Sequence, residues 1–375
     1  MNSQAKSHAA VREQSFRAQL LAWYDAHARD LPWRETLDPY RVWLSEIMLQ
    51  QTRVAAVIEH YHEFLRRFPT VEKLARAREA SVLAAWSGLG YYRRARRLHA
   101  AGRVVARERG GKFPETAEGL RQLPGVGRYT AAAIASIAFG EPVAVVDGNV
   151  ERVLQRLSGR RLAGEEFWLA AEGLLDRERP GDFNQAVMEL GATVCTPRAP
   201  ACLTCPAVEL CATRGEMAGA VKAARQQKRE IHYALDTRDG AVFLVQRAPD
   251  ERLMAGMWEL PEVDGPSEAK APSNRAGEIA ALKALRHPKA TRQPNATRQP
   301  NATRADSAKA GFTLKHSITV TDYTVRVWRM SVPTDVRGKW IPVERLERVA
   351  LTGLARKILR KAEIIPPVRQ ASVVI

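Results

Sequence analysis

All four cysteines of the chain lie in one short run, and their spacing limits the fold more than any other feature. Residues 195–211 read CTPRAPACLTCPAVELC, with six, two and five residues between Cys195, Cys202, Cys205 and Cys211. Four thiolates this close can converge on one compact site, and both a zinc ion and a 4Fe–4S cluster take four cysteine ligands. Zinc sites usually pair two Cys-x-x-Cys knuckles and only one occurs here, while disulfides are rare inside cells.

Charge indicates the kind of partner. The chain has 375 residues, with 58 Lys and Arg against 41 Asp and Glu and a net charge of +17. An excess of this size favours a polyanion, above all nucleic acid, although a basic protein can also lack such a partner. No run approaches the ~20 apolar residues of a membrane span, and the first residues lack a secretory signal. We therefore expect a cytoplasmic protein, associated with the bacterial nucleoid and neither secreted nor bound to a membrane.

Pro and Gly residues mark the turns between predicted elements, and the patterns between these turns divide the chain into domains. Residues 1–215 carry apolar positions at helical spacing between tight turns, which predicts an all-α domain. Residues 216–230 are basic and polar and are interpreted as a linker, and 231–365 predict an α+β domain. A tandem TRQPNAT-type repeat lies within 287–309, which we expect to be a disordered loop, and 366–375 to be a flexible tail.

The α+β prediction depends on three segments. Residues 231–247 predict two strands around a hairpin turn at Asp239 and Gly240, and 312–332 predict a hairpin of longer strands. Residues 344–361 have a helical pattern.

An acidic residue stands out in VVDGNV, residues 145–150, between a strand-like apolar run and a helical pattern. Asp147 or Asn149 could simply cap the helix that follows. A carboxylate held at a helix N-terminus is also kept ionised by the helix dipole, so capping and a chemical role are compatible.

A second motif, LPGVGRYTA at 123–131, predicts a sharp turn between two helices. Gly125, Val126 and Gly127 would leave backbone amides at a helix N-terminus free to bind a phosphate. An ordinary helix–helix turn is the alternative.

These motifs together resemble one family. WLSEIMLQQT, SGLGYYRRAR, LPGVGRYTA, VVDGNVERVL and the cysteine run look like the MutY family of adenine DNA glycosylases, which act on adenine opposite 8-oxoguanine, and the resemblance covers residues 15–215. The sequence QRAPDERLMAGMWELP, 246–261, resembles that family's C-terminal Nudix-like domain. The resemblance implies a helix-hairpin-helix domain with one 4Fe–4S cluster on the four cysteines, then a Nudix-like domain, in a monomer that binds double-stranded DNA containing A:8-oxoguanine or A:G mispairs.

The resemblance also implies catalytic roles. Glu46 matches the general acid that protonates adenine, and Asp147 the carboxylate that stabilises or traps the sugar cation. The apolar neighbours of Glu46 favour its neutral form, whereas the helix N-terminus favours the anion of Asp147. Tyr129 stands where related lyases carry a nucleophilic lysine, so we expect a monofunctional glycosylase, with Tyr129 bonded near Asp147 and Asn149 beside it.

Adenine must leave the DNA double helix before Glu46 can reach it. Gln51 and Tyr91 match family residues that wedge into the duplex, near Thr52 and Leu89. Arg34 matches a residue that lines the adenine pocket.

For Arg34, a salt bridge near Glu35 or Asp38 is the structural alternative.

The second domain departs from the family in two ways. No Glu-rich metal helix occurs between 262 and 290, so we expect no pyrophosphatase activity. The triplet that reads 8-oxoguanine is matched only loosely, and Ser317 or Thr319 is the candidate. The alternatives to adenine removal are an endonuclease III-like pyrimidine glycosylase with lyase activity and a non-enzymatic DNA-binding protein on the same scaffold.

Overall fold

The computed structural model describes residues 3–217, 227–251, 254–264, 309–318 and 321–366. Several predictions lie outside these residues: the repeat loop up to residue 308, most of the linker, Thr319 and the tail from residue 367. The chain divides into two units, Met1–Lys222 and Ala223–Ile375. Within the described residues, no helix is both long and apolar enough to cross a membrane.

The first unit is all-α, as the sequence predicts. Its described helices are α1 (Ser3–His27), α2 (Pro39–Leu49), α3 (Val54–Arg67), α4 (Val71–Arg76), α5 (Glu79–Ala85), α6 (Arg93–Glu108), α7 (Ala117–Leu120), α8 (Arg128–Phe139), α9 (Gly148–Ser158), α10 (Glu165–Leu174) and α11 (Pro180–Thr193). Side-chain caps start several of them, because a side-chain oxygen can satisfy an otherwise free amide of the first turn. Asp38, Thr70 and Thr116 do this for α2, α4 and α7.

Two sets of buried side chains hold these helices together. Around α2, α3 and α5, aromatic rings pack edge to face, including Phe64 against Trp86 and Trp43 against Phe113. The other core joins α1, α9, α10 and α11. Here Gly191 of α11 allows a close approach, because a Cβ atom at that position would lie 2.6 Å from the Cβ of Asn149.

The second unit contains two sheets, which confirms the α+β prediction. The described strands are β1 (Gln227–Leu235), β2 (Thr237–Arg238), β3 (Ala241–Gln246), β4 (Trp258–Glu259), β5 (Lys309–Ile318), β6 (Thr321–Arg329) and β7 (Lys339–Pro342), followed by α12 (Gly353–Lys361). One sheet has the order β1–β6–β5; in the other, β3 pairs with β2, β4 and β7. The core between them includes Val242, Val325, Val327 and Ile358.

The strand predictions are correct in one hairpin and incomplete in the other. β5 and β6 pair antiparallel, as 312–332 predicts. The turn at Asp239 and Gly240 also exists, but only the two residues of β2 pair with β3 across it. β1 instead runs parallel to β6 in the other sheet. It begins at Gln227, within the predicted linker. A partner almost a hundred residues away leaves no local pattern in β1.

Candidate active site

Glu46 lies on the buried face of α2 and is only 6% exposed. Its Oε2 atom accepts a hydrogen bond of 2.8 Å from the Tyr129 hydroxyl. Burial raises the pKa of Glu46 from 4.5 to about 7; the Tyr129 hydrogen bond lowers this pKa, and the Asp147 charge raises it. An apolar site thus keeps a proton available near neutral pH, as the sequence predicts.

Tyr129 lies in the first turn of α8, so that its ring reaches Glu46 on α2. The sequence predicts a hydrogen bond of this hydroxyl near Asp147; the acceptor is Glu46, and the Asp147 charge acts on both groups. Burial, with the charges of Glu46 and Asp147, holds the pKa of Tyr129 well above 10.0. Tyr129 therefore stays a neutral donor within the field of both carboxyls.

Asp147 is the N-cap of α9, which confirms the capping interpretation. Its Oδ1 accepts from the amides of Asn149 (2.9 Å) and Val150 (2.7 Å), and its Oδ2 accepts from Asn149 Nδ2 (3.1 Å). The helix amides lower the pKa of Asp147, in the direction that the sequence predicts, but burial raises this pKa by more. The three donors still favour the Asp147 anion, whereas Glu46 has one.

The chain reaches Asp147 through a buried extended segment rather than the predicted strand. Residues 141–147 have no assigned strand. The Asn184 side chain of α11 replaces a strand partner: it accepts from the Val145 amide (3.1 Å) and donates to the Val143 carbonyl (2.9 Å). Asn184 was not predicted as a site residue, although a polar residue on the apolar face of α11 is a usable signal.

Arg34 is held by a carboxylate that neither alternative named. Its Nη2 donates to Glu189 Oε2 (2.8 Å), and Arg29 binds the same carboxylate. The proposed partners Glu35 and Asp38 are therefore wrong. Burial alone would raise the pKa of Glu189, but the two arginines lower it to about 2. Since the Arg34 charge also lowers the pKa of Glu46, Arg34 acts on the candidate acid from this fixed position.

Two exposed loops flank the site. Gln51 follows α2 and Tyr91 precedes α6; both are exposed and have left-handed backbones, with φ of 53° and 47°. Leu89 does not join them, because its side chain is buried. The Thr52 hydroxyl donates to the Gln50 carbonyl (3.2 Å) and so braces the first loop.

The predicted hairpin lies between α7 and α8. Gly125 has φ of 79°, which glycine adopts without strain, and Gly127 is the N-cap of α8. Among the described residues, neither glycine amide has a hydrogen-bond partner. The amide of Val126 is not free as predicted, because it donates to the Leu123 carbonyl. The Val126 side chain is buried. The hairpin therefore presents two free amides rather than three.

The four half-buried cysteines line one pocket that is partly open to solvent. Among the described residues, no three His, Cys, Asp or Glu side chains are close enough to hold a single metal ion. The four sulfurs nevertheless line one pocket, and cysteine thiolates are ligands of both zinc ions and 4Fe–4S clusters. Arg156 Nη1 lies 3.2 Å from Cys195 Sγ, and the Arg214 amide 3.4 Å from Cys211 Sγ, so donors that favour thiolates are present.

A chain of hydrogen bonds joins the cysteine run to Asp147. Arg152 donates to the Cys195 carbonyl (2.7 Å) and to Asn149 Oδ1 (2.7 Å), and Asn149 in turn binds Asp147. Arg152 was not predicted as a site residue, because one arginine among so many carries no signal of its own.

In the second unit, Ser317 is exposed near the end of β5, and its hydroxyl lies 2.5 Å from Asp322 Oδ1. Asp322 is the second residue of β6, the strand paired with β5. Of the two candidates for lesion reading, Ser317 alone lies within the described residues.

The chain is similar to known proteins in both of its units. Residues 44–164 match the HhH-GPD superfamily of base excision DNA repair proteins, and residues 232–361 match the NUDIX domain. The chain is 42% identical over 313 residues to the human adenine DNA glycosylase, covering 66% of this chain and 57% of that one. It is 32% identical over 328 residues to the adenine DNA glycosylase of Schizosaccharomyces pombe, covering 69% and 71%.

A solved structure of a thermostable thymine-DNA glycosylase has a TM-score of 0.52 and 32% identity, covering 55% of this chain and 98% of that one. The match spans 57% to 64% of the length of the human, mouse and rat relatives.

Proposed function

The chain belongs to the adenine DNA glycosylase family, and from this premise we propose that it removes adenine mispaired with 8-oxoguanine, and with guanine, by hydrolysis of the N-glycosidic bond. The observation that carries the proposal is the contrast between two neighbouring carboxyls. Glu46 is buried with a pKa of about 7, while Asp147 accepts three hydrogen bonds. Two carboxyls in such different environments divide the roles of acid and anion between them.

In the proposed mechanism, the adenine is extruded from the helix into the site between these carboxyls. Glu46 donates its proton to the base, which makes adenine a better leaving group. The bond to the sugar breaks, and Asp147 stabilises the positive charge that develops there or traps it covalently. Water then completes the hydrolysis and leaves an abasic site. Tyr129 stays bonded to Glu46 and orients the proton.

The enzyme should act without strand cleavage. A lyase needs an amine that forms a Schiff base with the sugar, and Tyr129 supplies only a hydroxyl. This separates the proposal from an endonuclease III-like pyrimidine glycosylase.

The four cysteines are proposed to hold one 4Fe–4S cluster. The pocket shared by the four cysteines, the six-two-five spacing of the cysteine run and the nearby Arg156 and Arg214 donors support this assignment. When bound, the cluster would supply structural order to the loop rather than chemistry at adenine. Absorbance near 400 nm together with iron and sulfide analysis tests the assignment, since bound zinc is colourless.

The proposed partner is double-stranded DNA in the bacterial cytoplasm, bound by a monomer. The net charge of +17 and the free amides of Gly125 and Gly127 support phosphate contacts. Ser317 is the proposed contact of the second unit to 8-oxoguanine, which would require its hydroxyl to exchange Asp322 for the lesion.

Single-turnover base release tests the function. Three duplexes are compared: one has adenine opposite 8-oxoguanine, one has adenine opposite guanine, and one contains oxidised thymine. The products of each are analysed with and without alkali treatment. We expect adenine release that is fastest opposite 8-oxoguanine, with strand breaks only after alkali. Release of oxidised thymine with breaks before alkali would establish the pyrimidine lyase instead, and no release from any duplex would favour a DNA-binding protein.

A further inference from the structure

A buried arginine joins the two exposed loops beside the site. Arg94 lies in the first turn of α6, and its Nη1 donates to carbonyl oxygens at the end of α2, those of Ile47 (2.8 Å), Met48 (2.9 Å) and Gln50. Its Nη2 donates to Thr52 Oγ1 at 3.0 Å. The guanidinium therefore binds an acceptor on each side of the residue that the first loop exposes, the backbone carbonyl of Gln50 before it and the side-chain hydroxyl of Thr52 after it.

The same guanidinium binds the second loop. Nη2 of Arg94 also donates to the carbonyls of Leu89 (3.2 Å) and Gly90 (3.3 Å). Its Cζ lies 5.4 Å from the ring centroids of both Trp86 and Tyr91. The four N–H groups of the two terminal nitrogens are thus shared among six acceptors on two segments, whereas the buried Nε has no partner among the described residues. A lysine ammonium, with three donors on one atom, cannot reach both segments in this way.

Arg94 pairs with no carboxylate among the described residues; its neighbours are carbonyls, a hydroxyl and aromatic rings. Burial lowers the pKa of Arg94 to about 10, so the side chain remains charged at neutral pH. A buried cation without a counter-ion costs stability, and its position at the carbonyl end of α2 offsets part of that cost. Such an arrangement is unusual unless the cation organises its surroundings.

The two loops need that organisation because each holds a strained residue at its exposed tip. Gln51 and Tyr91 both have positive φ, which residues other than glycine adopt only when their surroundings enforce it. The acceptors of Arg94 include Gln50 and Thr52, on either side of Gln51, and Gly90, directly before Tyr91.

We propose that Arg94 is a positioning residue that fixes the loops carrying Gln51 and Tyr91 at the spacing needed to extrude the target base. This inference rests on the proposed function. Arg94 itself does not touch adenine. It sets where two side chains enter the duplex, and its loss should slow extrusion while the acid and the anion at the site remain intact.

The test compares a stacked substrate with an unstacked one. Single-turnover adenine release is measured on an A:8-oxoguanine duplex and on the same duplex with mismatched pairs on both sides of the adenine, where extrusion is easier. The variants are Arg94→Lys, which keeps the charge, and Thr52→Val, which removes one acceptor. The control is Arg107→Met, which removes an exposed charge about 20 Å away on the same helix.

We expect Arg94→Lys to slow release from the stacked duplex by roughly 10- to 100-fold and from the unstacked duplex by about threefold or less, because small displacements of positioning groups cost up to about 100-fold. Thr52→Val should also slow release from the stacked duplex more than from the unstacked one, but by a smaller factor. Arg107→Met should release adenine from both duplexes at the rates of the unchanged protein. Equal slowing on both duplexes, or none on either, would overturn the inference. If the unchanged protein released no adenine, the proposed function itself would fail.

Discussion

Replacing Glu46 by glutamine should stabilise the protein while it abolishes base release. Burial raises the pKa of this carboxyl from 4.5 to about 7, so the folded protein resists the ionisation that the unfolded chain undergoes freely. Because one pKa unit corresponds to about 1.4 kcal/mol, the free energy of unfolding is lower by about 3 kcal/mol above pH 7. The folded pKa lies above the unfolded one, so this penalty grows as pH rises from 4.5 to 7 and is absent below 4.5.

Glutamine is neutral at every pH and can still accept the Tyr129 hydroxyl, so the variant escapes the penalty. For a unit of this size, about 3 kcal/mol raises the melting temperature by roughly 6–12 °C. We expect a rise of that order at pH 8 and below about 3 °C at pH 5. Thermal unfolding followed by circular dichroism measures both.

Glu178→Gln is the matched control, because Glu178 is exposed and its replacement should leave the melting temperature unchanged at either pH. The reasoning fails if Glu46→Gln raises the melting temperature equally at pH 5 and pH 8, or not at all. Retained adenine release in this variant would remove Glu46 as the acid.

Three further outcomes follow from the site. Tyr129→Phe removes a hydrogen bond that lowers the pKa of Glu46, so the alkaline limb of the single-turnover pH profile, expected near pH 7, should move upward; an unmoved limb would mean that another group donates the proton. Glu189→Gln should lower the free energy of unfolding by about 3 kcal/mol at pH 7, because the pKa of Glu189 is about 2 rather than 4.5; this difference should disappear as pH falls from 4.5 towards 2, and denaturant unfolding at pH 7 and pH 3 checks it. Gly125→Ala should lower the melting temperature, since its φ is 79° and its Cβ would lie 2.6 Å from a side chain of α6, whereas Gly127→Ala, with nothing within 4 Å, should not; equal effects would show that the turn tolerates a side chain.

The all-α and α+β halves were predictable because helix and strand periodicity are local. The same holds for the cap at Asp147, whose position before a helical pattern is visible in six residues. The parallel pairing of β1 with β6 was not predictable, because the two strands are far apart in the sequence.

The hydrogen-bond partners at the site were likewise not predictable from local sequence. Sequence reasoning placed Tyr129 near Asp147, but its hydroxyl binds Glu46, since the packing of α2 against α8 decides which carboxyl it reaches. Glu189 binds Arg34 from 155 residues away. No spacing rule finds such a pair.

By itself, the sequence determined which chemical groups are present and where helices start: the carboxyls at 46 and 147, the glycines of the hairpin and the cysteine run. Only the tertiary structure decided which groups meet and how each is solvated. At Asp147, burial raises the pKa by more than the amides of the helix N-terminus lower it. Around Arg94, two distant segments supply six hydrogen-bond acceptors. The physical reason is that desolvation and long-range hydrogen bonds depend on neighbours from distant segments, whereas capping and periodicity depend on the chain nearby.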